Sequence, residues 1–81
     1  METPLLKKQI SYTIACVSEF ARHYHITEKE SFEFLEKYGA IAFLKDCYDA
    51  EHTLSFEDAV DDMTQICTNN GGDVNAIISR K

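Results

Sequence analysis

Eighty-one residues, with 8 lysines and arginines against 14 aspartates and glutamates, carry a formal net charge of −6. One small domain is all that this length allows, and a composition of 44% hydrophobic and 27% charged residues excludes intrinsic disorder. The negative balance argues against nucleic-acid phosphates and anionic membranes as partners, while one proline and three glycines disfavour a strand-and-turn fold.

The apolar periodicity predicts an all-α chain: a compact bundle of four helices at about residues 5–24, 28–38, 40–51 and 56–68, then a short C-terminal helix or tail. In the first helix Leu6, Ile10, Ile14, Val17, Phe20, Ala21 and Tyr24 recur at steps of three and four, with Tyr12 and Cys16 at the edge of the stripe. Thr27-Glu28-Lys29-Glu30 has the form of a capping box that opens the second helix. Gly39 closes it, because glycine takes the left-handed conformation at little steric cost. In the third helix Ile41, Leu44 and Tyr48 fall together beside a second stripe of Ala40, Phe43 and Cys47. So wide an apolar face suggests a central position.

Ser55 caps the fourth helix, whose apolar face is Phe56, Ala59, Val60, Met63, Ile66 and Cys67. Its other face is Glu57, Asp58, Asp61 and Asp62. Asn69-Asn70-Gly71-Gly72 is a helix stop rather than a phosphate cradle. Beyond it, Asp73 to Ser79 reads either as a short helix capped by Asp73 or as an extended tail.

The stretch from Asp46 to Met63 holds seven of the fourteen acids and no lysine or arginine. Between Lys45 and Arg80 there is no basic residue at all. Such a field favours a basic protein partner; the plainer reading is a solvated face that keeps the chain soluble. The residues assigned to partner binding are Asp49, His52, Glu57, Asp58, Asp61 and Asp62. Phe32, Leu35 and Phe43 are expected in the core, and the crowding of aromatics there leaves Phe34 or Tyr38 at the surface as an anchor for another chain.

His52 also has a structural reading, as an imidazolium at a helix's negative end or a ring N–H bonded to a backbone carbonyl. Catalysis has no evident nucleophile: Cys47 and Asp49 read as buried and exposed respectively. His23, His25, Cys47, His52 and Cys67 have no recognised metal-ligand spacing. Neither enzyme activity nor a cofactor or metal is therefore expected. Three widely spaced cysteines without a C-x-x-C read as buried, reduced thiols of a cytoplasmic protein, and no apolar run approaches the ~20 residues of a membrane span. Two alternatives from other classes are a structural homodimer joined by an exposed apolar strip, and a metal-binding or catalytic protein using His52.

Tyr48-Asp49-x-x-His52-Thr53, preceded by Phe32-Glu33-x-Leu35-x-x-Tyr38-Gly39 and Phe43-Leu44 and followed by Glu57-Asp58-x-Val60, resembles a bacterial domain-of-unknown-function family of short, single-domain helical proteins. The resemblance covers roughly residues 8 to 66. It brings no activity with it. It implies a chain often encoded beside an ADP-ribosyltransferase-like protein, which suits a partner or antidote.

Overall fold

The computed structural model describes residues 4–78; the side chain of Leu6, and Ser79 and Arg80, lie outside the described residues. Within them every regular element is a helix: α1 (Pro4–Tyr24), α2 (Glu28–Lys37), α3 (Ala40–Asp46), α4 (Tyr48–Glu51), α5 (Phe56–Asn69) and α6 (Val74–Ile78). At 1.5 Å per residue α1 is about 31 Å long in a molecule measuring 40 × 22 × 22 Å. It is the spine on which α2, α3 and α5 pack.

The helix ends follow local chemistry. Thr27 forms both halves of the capping box, its Oγ1 accepting from the Glu30 N–H at 3.0 Å while its own N–H donates to Glu30 Oε1 at 2.9 Å. Ser55 caps α5 by accepting from the Asp58 N–H at 3.1 Å. Past α5, Gly71 is left-handed at φ 93°. The Gly72 N–H reaches back to the Cys67 carbonyl at 2.7 Å and the Gly71 N–H to that of Thr68 at 3.1 Å. This pair of bonds is the Schellman closure. The same closure ends α1, but with a histidine in the left-handed place: His25 has φ 58°, and Ile26 and His25 donate to the Ala21 and Arg22 carbonyls at 3.0 and 3.4 Å.

Phe20, Leu35, Leu44, Met63, Cys16 and Cys67 are the fully buried centre. Polar clips join the helices around it. The Ser31 hydroxyl, fully buried, donates to the Val17 carbonyl at 2.8 Å. Tyr24 and Thr64 share a hydrogen bond of 2.7 Å between α1 and α5. Asn70 donates to the Tyr38 carbonyl at 2.7 Å, holding the α2–α3 turn to the end of α5.

Three expectations are corrected. The third helix does not run from 40 to 51. It breaks at Cys47, which leaves the α region (φ −110°, ψ 21°) and re-aims the last turn so that Tyr48 meets α1 and Glu51 turns inward. The buried stripe of α1 is Cys16, Val17, Phe20 and Ala21, with Tyr12 and Tyr24 packed on it. Ile10 and Ile14 stand 41% and 61% exposed, because α4 and α5 meet the Tyr12–Cys16 side of the helix. On α2 the roles of two aromatics are exchanged. Phe34 is buried, its ring 6.0 Å from Phe20 and 5.0 Å from Tyr38, while Phe32 is 41% exposed. The phase is set by Ser31 and Leu35, which face α1 and the core and carry Phe34 in with them. Of the two readings open for the segment after Gly72, the structure has the short helix. Asp73 Oδ1 accepts from the Asn75 N–H at 2.9 Å, and Ile77 joins the core.

Candidate functional site

Lys7, Lys8, Arg22, Lys29, Lys37 and Lys45 precede the break at Cys47. After it comes the acidic stretch, now divided into the single turn α4, a connection, and α5. Tyr48 is fixed from two sides: its ring lies edge-on to Tyr12 at 5.6 Å and flat against His52 at 4.5 Å. Tyr12 in turn stacks on Phe56 at 6.2 Å. The Tyr12 hydroxyl donates to the Glu51 carbonyl at 2.9 Å, an oxygen that also receives the Leu54 N–H at 3.0 Å. One tyrosine of α1 thus holds both ends of α4 and the first residue of α5.

His52 closes the turn. Its Nδ1 is 2.7 Å from the Tyr48 carbonyl, a contact that requires the proton on that nitrogen. The same carbonyl accepts the His52 backbone N–H at 2.9 Å, so the ring adds a second bond to it. Thr53 donates to the Ala50 carbonyl at 2.7 Å and caps nothing; Ser55 is the cap. His52 and Asp49 are both exposed, as are Glu57, Asp58 and Asp61. Glu57 and Asp58 lie in the first turn of α5, where the helix dipole favours a negative charge. Among the described residues the ion pair found is Arg22 with Glu19 on α1. Among the described residues none of the four exposed acids, Asp49, Glu57, Asp58 and Asp61, is paired with a lysine or arginine.

Asp62, the remaining acid assigned to the face, is half-buried and neighbours Glu51. Glu51 is the residue that sequence reasoning missed. It is 6% exposed, and its Oε1 is closed to solvent with no hydrogen-bond partner. Burial, and then the neighbouring Asp62 carboxyl, push the Glu51 carboxyl up to about 7. A signal existed: Glu51 continues the Ile41, Leu44, Tyr48 spacing by one more step, so it occupies an apolar position in an acidic run. Burial likewise pushes the Cys16 and Cys67 thiols up to about 11, where a thiol is a poor nucleophile. It also raises the Tyr12 phenol, with Cys16 beside it as the next cause.

The two aromatics assigned as anchors do not join this site. Phe34 is interior. Tyr38 is half-buried, with the Lys37 ammonium 5.4 Å from its ring centre. Together they line an open groove of about 420 Å³ against Gly71 and Ile77. Apolar surface is exposed elsewhere, at Ile10, Ile14 and Phe32. Ile14, Val17 and Phe32 border a groove between α1 and α2 of about 330 Å³. Among the described residues no group of three or more His, Cys, Asp or Glu side chains is placed to hold a metal ion, and no helix is long and apolar enough to cross a membrane.

A family model described as a protein of unknown function (DUF3791) matches residues 11–70. Since the match spans most of the chain, from the second turn of α1 to the end of α5, the protein belongs to the DUF3791 family. No curated protein and no solved structure matches it.

Proposed function

We propose that this protein is a binding module without chemistry of its own, and that it takes a basic protein partner on the face formed by Asp49, His52, Glu57, Asp58 and Asp61. The observation that supports the reading is the absence, among the described residues, of any lysine or arginine paired with these acids. Their field is therefore left free for an incoming cation. A partner or antidote of an effector encoded nearby, as the family resemblance implies, is one protein that would fit. Capture from a native-host extract on the wild-type chain and on the variant Glu57→Gln/Asp58→Asn/Asp61→Asn tests it. A basic protein should be retained by the first and lost by the second, with an affinity that falls steeply with salt. Equal retention on both, or an affinity indifferent to salt, would move the binding away from this face.

A second reading is a homodimer. The exposure of Ile10, Ile14 and Phe32 favours it, since these side chains form an apolar strip along α1 and the start of α2 that none of the described residues covers.

A further inference from the structure

We propose that Glu51 and Asp62 share one proton across the α4–α5 junction, and that this proton fastens the Tyr48–Thr53 turn to α5, so that its loss at higher pH loosens the turn. The inference is independent of any partner and begins from geometry. The carboxyl of a residue 6% exposed, with one oxygen closed to solvent and unpartnered, does not readily stay ionised without a counter-charge. Among the described residues the groups around it supply none. From α1, the Tyr12 hydroxyl is committed to the Glu51 backbone carbonyl, and Cys16 is a buried thiol. On α4 itself Asp49 is exposed, and the adjacent His52 has turned its ring to Tyr48. On α3, Lys45 and Asp46 are both exposed. From α5 comes Asp62, half-buried, a second carboxyl beside it.

Two facing carboxyls without a base resolve their repulsion by holding one proton between them. A lysine or arginine side chain would serve electrostatically. However, Oε1 is closed to solvent, so a proton reaches the pair where an ammonium group does not.

The sign follows from linkage. The Glu51 carboxyl is raised, by burial first and Asp62 second, from 4.5 to about 7. The folded chain therefore keeps a proton that the unfolded chain has already released. The stabilisation is complete below about 4.5 and is lost as the pH rises through about 7.

Urea unfolding of the full chain at intervals from pH 5 to pH 8 tests this, comparing wild type with Glu51→Gln, Asp62→Asn and, as a neighbouring exposed control, Asp61→Asn. Effects of the three histidines are common to all four and cancel in the differences. The wild-type folded-to-unfolded ratio should fall on the order of a hundredfold over that interval relative to Glu51→Gln. In that variant a neutral amide donates to Asp62 at every pH. Asp61→Asn should follow the wild type. If Glu51→Gln fails to fold, Asp62→Asn carries the test, and a shallower pH dependence than wild type is expected of it. Carboxyl carbon shifts of the folded wild type should show Glu51 titrating above the ordinary carboxylate range. A wild-type curve parallel to that of Glu51→Gln, an Asp62→Asn curve parallel to wild type, or a Glu51 carbon that titrates in the ordinary carboxylate range would each overturn the proposal.

Discussion

Replacing His25 by glycine should stabilise this protein. Replacing Gly71 by alanine, at the matching place in the same helix-ending motif, should destabilise it. Both residues are left-handed, with φ of 58° and 93°, and both lie between the two backbone bonds that close a helix. His25 is exposed, and among the described residues its side chain has no hydrogen-bond, ion-pair or ring partner. A Cβ added at Gly71 would meet nothing within 4 Å. Each substitution therefore acts through the backbone alone. A side chain held left-handed costs about 1 kcal/mol, and histidine tolerates the region better than most. Glycine recovers that cost but gives back part of it through its freer unfolded chain. The expected gain for His25→Gly is roughly 0.5–1 kcal/mol, and the expected loss for Gly71→Ala about 1 kcal/mol. For a domain of this size 1 kcal/mol is about 4–8 °C in Tm. Urea unfolding should show both midpoints displaced with the slope unchanged. A destabilised His25→Gly, or two variants shifted in the same direction, would mean that the histidine makes a contribution the geometry does not contain.

Truncation of His52 to alanine removes a ring bonded to the Tyr48 carbonyl and stacked on its side chain, so thermal unfolding should fall by about 1 kcal/mol. An unchanged Tm with weakened partner binding would assign the ring to recognition instead, and no change in either would remove it from both roles. Sedimentation across micromolar concentrations addresses the dimer: under that reading the wild type self-associates and Ile14→Glu does not, whereas a strict wild-type monomer excludes it.

What the sequence discloses is what is decided within a few residues. Thr27, Ser55, Gly39 and Gly71 mark helix ends because a cap is local chemistry, and all four do so in the structure. The orientation of each helix about its own axis is decided by neighbours distant in the chain, and there the periodicity misleads. Ile14 and Cys16 are both plausible core positions on α1; the arrival of α4 and α5 on one side selects Cys16. Phe32 and Phe34 are separated in the same way by the docking of Ser31 on Val17. The break at Cys47 has neither proline nor glycine to announce it. As for the candidate site, the exposed acids of α5 are legible as the polar half of an amphipathic pattern. Glu51 is hidden among them because a carboxylate in an acidic run reads as solvated, whatever stripe it falls on.

The family match stops at Asn70, yet α6 lies beyond it and sets Ile77 beside the Phe34–Tyr38 pair. Gly72 sits so close under Tyr38 that an added carbon would fall 2.8 Å from the ring. The last turn of the described chain is thus a lid sewn onto a domain that the family pattern outlines without it. Trimmed at residue 70, the molecule would bare two aromatic rings side by side, a sticky facet of the sort that α1 and α2 carry on their far flank.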